Sequence, residues 1–223
     1  MITKVQLAGM IDHSLLRPQS TREELKKLCA QAVQYEFKAV CINPVHVGDA
    51  ASSLKGSGVR ICSVVGFPFG THPARVKAAE TREVIKLGAR EVDMVIRMGV
   101  LKEGRNQEVV EDIRAVVEAA SGFPVKVILE TCYLTEEEKI RGCKLAVEAG
   151  ASFVKTSTGF GAAGATAEDL KLMRKIVGER VGVKAAGGIK TLADALKMIE
   201  AGANRLGTSG SVAIIRELEK GTQ

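Results

Sequence analysis

The 223-residue chain carries 32 Lys and Arg against 26 Asp and Glu, for a formal net charge of +6, and 46% of its residues are hydrophobic. Charge interrupts its apolar runs every few residues, which argues against a transmembrane span. Basic residues are interleaved with acids, as in Arg22-Glu23-Glu24-Leu25-Lys26-Lys27, without the aromatic spacing of a nucleic-acid surface.

The five cysteines (Cys29, Cys41, Cys62, Cys132, Cys143) are odd in number and lack Cys-x-x-Cys spacing, so reduced thiols are expected instead of a disulfide framework. His13, His46 and His72 stand apart, and no metal or other cofactor is expected. The first residues lack the charged-then-apolar layout of a secretion signal, and the expected location is cytoplasmic. A mildly basic protein also suits a small anionic substrate.

In chain order, a short helix at 3–9 is expected to cover the bottom of the fold, and a strand at 10–15 follows. Further strands are predicted at 39–43, 60–67, 91–97, 125–130, 153–157, 182–186 and 205–207. Helices are predicted at 21–35, 73–87, 106–120, 135–149, 167–177, 192–201 and 212–220, with a shorter one at 45–54. No linker or composition shift interrupts this alternation, so 1–223 reads as one domain. Eight strand–helix units predict an all-parallel sheet closed into an α/β (β/α)8 TIM barrel, which they fit better than an open doubly wound sheet.

An echo recurs three times. Gly88, Gly150 and Gly202 each end a helix, and five residues later stand Asp93, Lys155 and Gly207. Equal spacing predicts similar depth in three strands. Strand alternation then orients the side chains. In Val-Lys-Thr, Val154 and Thr156 face the helices and Lys155 the barrel interior; likewise Asp93 lies between Val92 and Met94, and Lys184 between Val183 and Ala185. A structural ion pair, or a lysine reaching solvent, would explain any one of these groups. Three at matched parity and depth favour a site.

A charged amine in an apolar strand is costly unless paired or neutralised. Burial favours the neutral, nucleophilic form of a lysine, and a second cation on the adjacent strand acts the same way. Schiff-base chemistry on Lys155 therefore follows. Gly187-Gly188 after the seventh strand and Ser209-Gly210 after the eighth, where the last helix begins, suit a phosphate; tight turns alone would also explain them. Gly159-Phe-Gly161-Ala-Ala-Gly164 matches a dinucleotide fingerprint, but the next strand ends in Lys184 and glycines where an acid is required, so that reading is rejected.

These segments together resemble deoxyribose-phosphate aldolases of class I: Ile-Asp12-His-Ser-Leu-Leu, Ala-Val-Cys41-Ile-Asn-Pro, Glu-Val-Asp93-Met-Val, Val-Lys155-Thr-Ser-Thr158-Gly159-Phe, Val-Lys184-Ala-Ala-Gly187-Gly188-Ile and Gly-Thr-Ser209-Gly210-Ser. The resemblance covers essentially the whole chain. It implies reversible cleavage of 2-deoxy-D-ribose 5-phosphate to D-glyceraldehyde 3-phosphate and acetaldehyde, in deoxyribose phosphate catabolism. Lys155 would form the Schiff base, Lys184 would assist it as a neighbouring cation and in proton transfer, and Asp93 would relay protons through water. Asp12 and Cys41 match positions lining the pocket, Cys41 as a wall and not a nucleophile. Thr158, Gly159, Gly187, Gly188, Ser209 and Gly210 fall in the binding segments. The resemblance also implies a homodimer. Some relatives end in a tyrosine-bearing tail, for which 219–223 has no counterpart.

Two rivals belong to other classes: a phosphosugar isomerase using Asp93 as base without an imine, and a non-catalytic phosphosugar sensor.

Overall fold

The structure is a computed structural model that describes residues 2–221. Eight parallel strands close into a barrel in chain order: β1 (Ile11–Leu15), β2 (Ala39–Ile42), β3 (Arg60–Val65), β4 (Glu91–Val95), β5 (Val125–Ile128), β6 (Phe153–Lys155), β7 (Gly182–Ala186) and β8 (Arg205–Thr208), with β8 pairing back onto β1. The helices are α1 (Lys4–Ala8), α2 (Arg22–Gln34), α3 (Val47–Ser53), α4 (Ala74–Leu87), α5 (Met98–Lys102), α6 (Asn106–Ala119), α7 (Glu136–Glu148), α8 (Ala167–Val177), α9 (Leu192–Glu200) and α10 (Ser211–Lys220). Among the described residues no helix is long and apolar enough to cross a membrane.

Local signals set these elements. Thr21, Thr135 and Thr191 cap α2, α7 and α9, each in a reciprocal capping box with Glu24, Glu138 and Asp194. The three echoing glycines all take positive φ, at 120°, 87° and 108°, a conformation that ends the helix and turns the chain into a strand. Lys38 donates to the carbonyl of Ala8 just before β2 begins, which puts α1 at the N-terminal end of the barrel.

The core has two parts. Outward residues of the strands, including Val92, Met94, Val154, Val183 and Ala185, pack with helix residues such as Ile113, Leu170 and Ile214. Burying each large aliphatic chain there contributes about 1.5–3 kcal/mol. Inside the barrel a small apolar group of Ala39, Cys41, Cys62 and Val64 stands apart, with Leu16 and Phe67 packed against it.

The sequence expectations differ from the fold at several edges. The third, fourth, fifth and sixth strands stop two residues early, at Val65, Val95, Ile128 and Lys155. Gly66, at φ 60°, turns the chain away from β3, so sheet pairing ends there. The segment expected as one helix at 45–54 begins with a 3-10 turn, Pro44–His46, ahead of α3. α5 was not anticipated; at five residues it is too short to show a periodicity, and the burial of Val100 and Leu101 holds it. Thr222 and Gln223, part of the segment compared with the tyrosine-ended tails, lie outside the described residues.

A fully buried ion pair lies in the helix layer. Lys77 of α4 is fully buried and donates to Asp112 of α6 at 2.6 Å and to the carbonyl of Val95 at 2.7 Å. Burial holds the Lys77 ammonium below and the Asp112 carboxyl above their ordinary values, so desolvation outweighs the attraction for both. Lys77→Met should therefore cost about 3–5 kcal/mol, because it strands a buried acid. Adding Asp112→Leu should recover most of the loss. Urea unfolding midpoints at constant slope check both; a double variant as weak as the single one would contradict this account.

Candidate active site

The strand register places the site residues. Lys155 and Lys184 are direct partners across β6 and β7. Asp93 pairs with Lys126, and Lys126 with Phe153, two residues short of Lys155. The same offset separates Cys41 from Asp93, Lys155 from Gly207, and Gly207 from Cys41. Four such steps make the eight-residue stagger of a (β/α)8 barrel, so Cys41, Asp93, Lys155 and Gly207 occupy one level. By the same offsets Asp12, Cys62, Lys126 and Lys184 form the level beneath, and Ala39, Glu91, Phe153 and Arg205 the next. Gly182 is needed at that depth, since a Cβ there would lie 2.1 Å from the Phe153 ring.

Asp93 joins the levels. Its Oδ2 accepts from Lys155 Nζ at 2.7 Å and Lys184 Nζ at 2.8 Å. Its Oδ1 accepts from Lys126 Nζ at 2.8 Å and the Cys62 thiol at 3.0 Å. Lys184 also donates to Asp12, and Lys126 meets Glu91 at 2.7 Å. Arg205 closes the lower end on Asp12 at 2.7 Å and Glu91 at 3.0 Å. Four interior cations thus face three carboxylates.

The titration behaviour follows from this packing. Burial opposes charge on Asp93, but Lys126, Lys155 and Lys184 override it and hold the carboxyl well below its usual range. Burial likewise opposes the Lys184 ammonium, yet Asp12 and Asp93 raise it above its ordinary value; Asp93 and other neighbours do the same for Lys126. Both remain cations. Lys155 meets one carboxylate where Lys184 meets two, and Lys155 lines the cleft above. The neighbouring Cys62 holds the Cys41 thiol below its ordinary value.

That cleft, ≈ 690 Å³, opens at the C-terminal ends of the strands. Thr158, Gly159, Gly187, Gly188 and Ser209 line it with Lys155. Gly187 and Gly188 both have positive φ, near 82°, which presents their backbone at the β7 turn. Ser209 precedes α10, whose first turn has no side-chain cap. Gly210 is placed differently from expectation: it is absent from the cleft wall, and its N–H is held by Thr208 Oγ1 at 2.9 Å. Asp12 and Cys41 also do not line the cleft. Both are fully buried: Asp12 lies one level below Lys155, and Cys41, although level with Lys155, belongs to the apolar group against which Leu16 and Phe67 pack. Nor does Asp93 need a bridging water to reach Lys155, since the two touch.

The dinucleotide-like glycines have a packing explanation. A Cβ on Gly164 would lie 2.3 Å from the Gly187 carbonyl, and one on Gly161 would lie 2.9 Å from Cys132 Sγ and 3.0 Å from Glu130 Cδ. Close contact with backbone at Gly164, and with buried side chains at Gly161, requires glycine there. Cys41, Cys62 and Asp93 bring possible metal-ligand atoms within 4.8 Å of one another. Three ammonium groups already occupy the Asp93 oxygens, a setting that opposes a metal cation.

Sequence reasoning missed Lys126, Glu91, Arg205 and Glu130. Lys126 had the signal used elsewhere, a lysine between two outward valines. Glu91 and Arg205 share parity with Asp93 and Gly207.

A lysine-centred site at the C-terminal mouth of a closed (β/α)8 barrel defines the class. A family profile described as DeoC/LacD family aldolase matches residues 7–216. The chain is 55% identical over 225 residues to a deoxyribose-phosphate aldolase of Carboxydothermus hydrogenoformans, covering 99% of each. It is 56% identical to one of Bacillus cytotoxicus, covering 97% of this chain and 98% of that one. A solved deoxyribose phosphate aldolase from Aeropyrum pernix, described as tetrameric, superposes with a TM-score of 0.91 at 31% identity, covering 97% of this chain and 92% of that one. The chain belongs to the DeoC/LacD aldolase family, and it is an enzyme of the lyase class.

Asp12 gives a pH test. Burial would raise its carboxyl, but Lys184, Lys126 and Arg205 instead lower it to about 2. The unfolded value is near ~3.9. Its stabilisation is therefore complete above about pH 4 and is lost as pH falls toward 2, on the order of 2 kcal/mol. Unfolding free energy measured across that window should fall less steeply for Asp12→Asn than for the unaltered protein; equal slopes would contradict the assignment.

Proposed function

We propose that the chain catalyses reversible aldol cleavage of 2-deoxy-D-ribose 5-phosphate through a Schiff base on Lys155, serving deoxyribose phosphate breakdown. One observation carries the reading: an amine at the cleft floor, 2.7 Å from a carboxylate that two other buried lysines hold ionised. Of the lysines in this network, Lys155 is the one that lines the cleft open to substrate.

The neutral amine adds to C1 of the open-chain sugar, and loss of water gives the iminium. This cation is an electron sink. The C3 hydroxyl gives its proton to solvent water, which returns one at C2 in the next step, as the C2–C3 bond pair flows toward the iminium nitrogen. Glyceraldehyde 3-phosphate leaves, and the enamine remains on Lys155. Protonation at C2 and hydrolysis then release acetaldehyde and restore the amine. The Asp93 carboxylate, 2.7 Å from Lys155, stabilises the iminium cation, and Lys184, held cationic, can pass a proton at this end of the cleft. The sugar phosphate would sit at Gly187, Gly188 and Ser209, where backbone N–H groups and an uncapped helix start favour an anion. Binding there fixes C1 over Lys155, so energy from a remote group orients the reacting one.

An isomerase using Asp93 as its base fits less well. A carboxylate tied to three lysines and held well below its usual range is a weak base.

Borohydride reduction with deoxyribose 5-phosphate should leave a two-carbon adduct on Lys155, located by mass spectrometry of peptides. Lys155→Leu should lose roughly 10³-fold or more of cleavage while unfolding at a similar midpoint. Normal turnover by that variant, or an adduct on another lysine, would refute the assignment.

A further inference from the structure

Glu130 stands directly after β5, at the mouth of the barrel, and three features set it apart. It has left-handed backbone angles, φ 55° and ψ 64°, at a residue that is not glycine. Such a conformation costs about 1–3 kcal/mol and persists only where its surroundings enforce it. Its side chain is buried, at 2% exposure. Both carboxylate oxygens are turned onto one residue, Thr158: each accepts from the Thr158 N–H at 3.2 Å, and Oε2 accepts from the Thr158 hydroxyl.

The turn after β6 is built around that carboxylate. The Phe160 N–H donates to Thr158 Oγ1 at 3.0 Å, and Gly161 packs so tightly that a Cβ would meet Glu130 itself. The same turn then buttresses the next one. A Cβ on Gly187 would lie 2.9 Å from Gly164 Cα and 3.7 Å from Gly159 Cα, and the Ala165 N–H donates to the carbonyls of Ala186 and Gly187, both at 3.1 Å. Thr158, Gly159 and Gly187 all line the cleft. A continuous set of contacts therefore runs from Glu130 through Thr158 and Gly159 to the glycine turn of β7. With both its N–H and its hydroxyl donated to Glu130, Thr158 itself has no donor left for a ligand.

We infer that Glu130 is a positioning residue for the phosphate end of the cleft: it ties down the β6 turn so that the backbone of Gly159, Gly187 and Gly188 is held ready for the substrate's phosphate. This rests on the reading of the cleft as a phosphosugar site with Lys155 as its amine. The inference separates two parts of the site. Imine formation with a small aldehyde needs Lys155 and its ion network, and Glu130 is bonded to neither. Recognition of the phosphate needs the two turns.

The test compares Glu130→Gln, Glu130→Gly and Thr158→Val on 2-deoxyribose 5-phosphate and on unphosphorylated 2-deoxyribose. Loss of a charge-assisted hydrogen bond, worth about 1.5–3 kcal/mol, corresponds to roughly tenfold or more. KM for the phosphorylated sugar should rise by about that factor in Glu130→Gly and Thr158→Val, and by less in Glu130→Gln, which keeps one acceptor. In the two Glu130 variants, cleavage of deoxyribose and borohydride trapping of acetaldehyde on Lys155 should stay near the unaltered level. Glu130→Gly is the decisive variant because glycine relieves the left-handed backbone. If the turn's shape alone mattered, glycine would bind the phosphosugar as well as glutamate does, and the inference falls. Equal loss on both sugars would overturn it too. Should Glu130→Gly fail to fold, Thr158→Val still decides: an unchanged KM for the phosphosugar sinks the inference. Failure of acetaldehyde to trap on Lys155 in the unaltered protein would instead count against the Schiff-base reading.

Discussion

The Asp93 carboxylate is the point on which the barrel interior depends. It is fully buried, and a buried carboxylate is stable only if hydrogen-bonded and paired. Three lysines from β5, β6 and β7 meet it, each within 2.8 Å. Those lysines are themselves buried and need acids, which brings in Asp12 and Glu91 and, through them, Arg205. A typical interior layer of valine and isoleucine is replaced by charge. The arrangement forgoes apolar packing and gains an amine whose neighbours are fixed in place before any substrate arrives. Preorganised charge of this kind is what stabilises a developing cation without rearrangement.

Above the charges, the mouth is shaped by backbone. Gly164 against Gly187 brings the β6 and β7 turns together, and Gly161 against Glu130 and Cys132 the β5 and β6 turns, closer than any side chain would allow. The result is a cleft with chemistry at one end and anion recognition at the other, carried by different strands. Lys155 serves both ends: its side chain belongs to the ion network, while the turn that begins just after it forms part of the cleft wall.

Much of this was legible beforehand. Eight strand–helix units, the inward parity of Asp93, Lys155 and Lys184, and their adjacency all follow from alternation, because a strand turns successive side chains to opposite faces. The three repeated glycines correctly implied equal depth for Asp93 and Lys155. Lys126 escaped although it carries the same pattern, since nothing in its own strand reveals that Asp93 is within reach. Glu130 escaped for a different reason: a left-handed glutamate has no local signature. Asp12 and Cys41 were recognised as important positions but assigned to the cleft wall, and burial depth is not encoded in a strand's alternation. Gly210 was assigned to the anion site, but its amide is spent on Thr208.

The sequence by itself determined the periodicity, and hence the barrel class, the face each strand residue presents and the family to which those residues belong. These depend on local geometry: alternation at two residues, helical spacing, capping threonines and terminating glycines. Which charges meet was decided only in the closed barrel. The eight-residue stagger sets side chains from alternate strands at one height, and that stagger is a property of closure, not of any segment. Asp93 thus contacts Lys155 from a strand paired with neither β6 nor β7, and Glu130 holds Thr158 across a turn that glycines alone let approach.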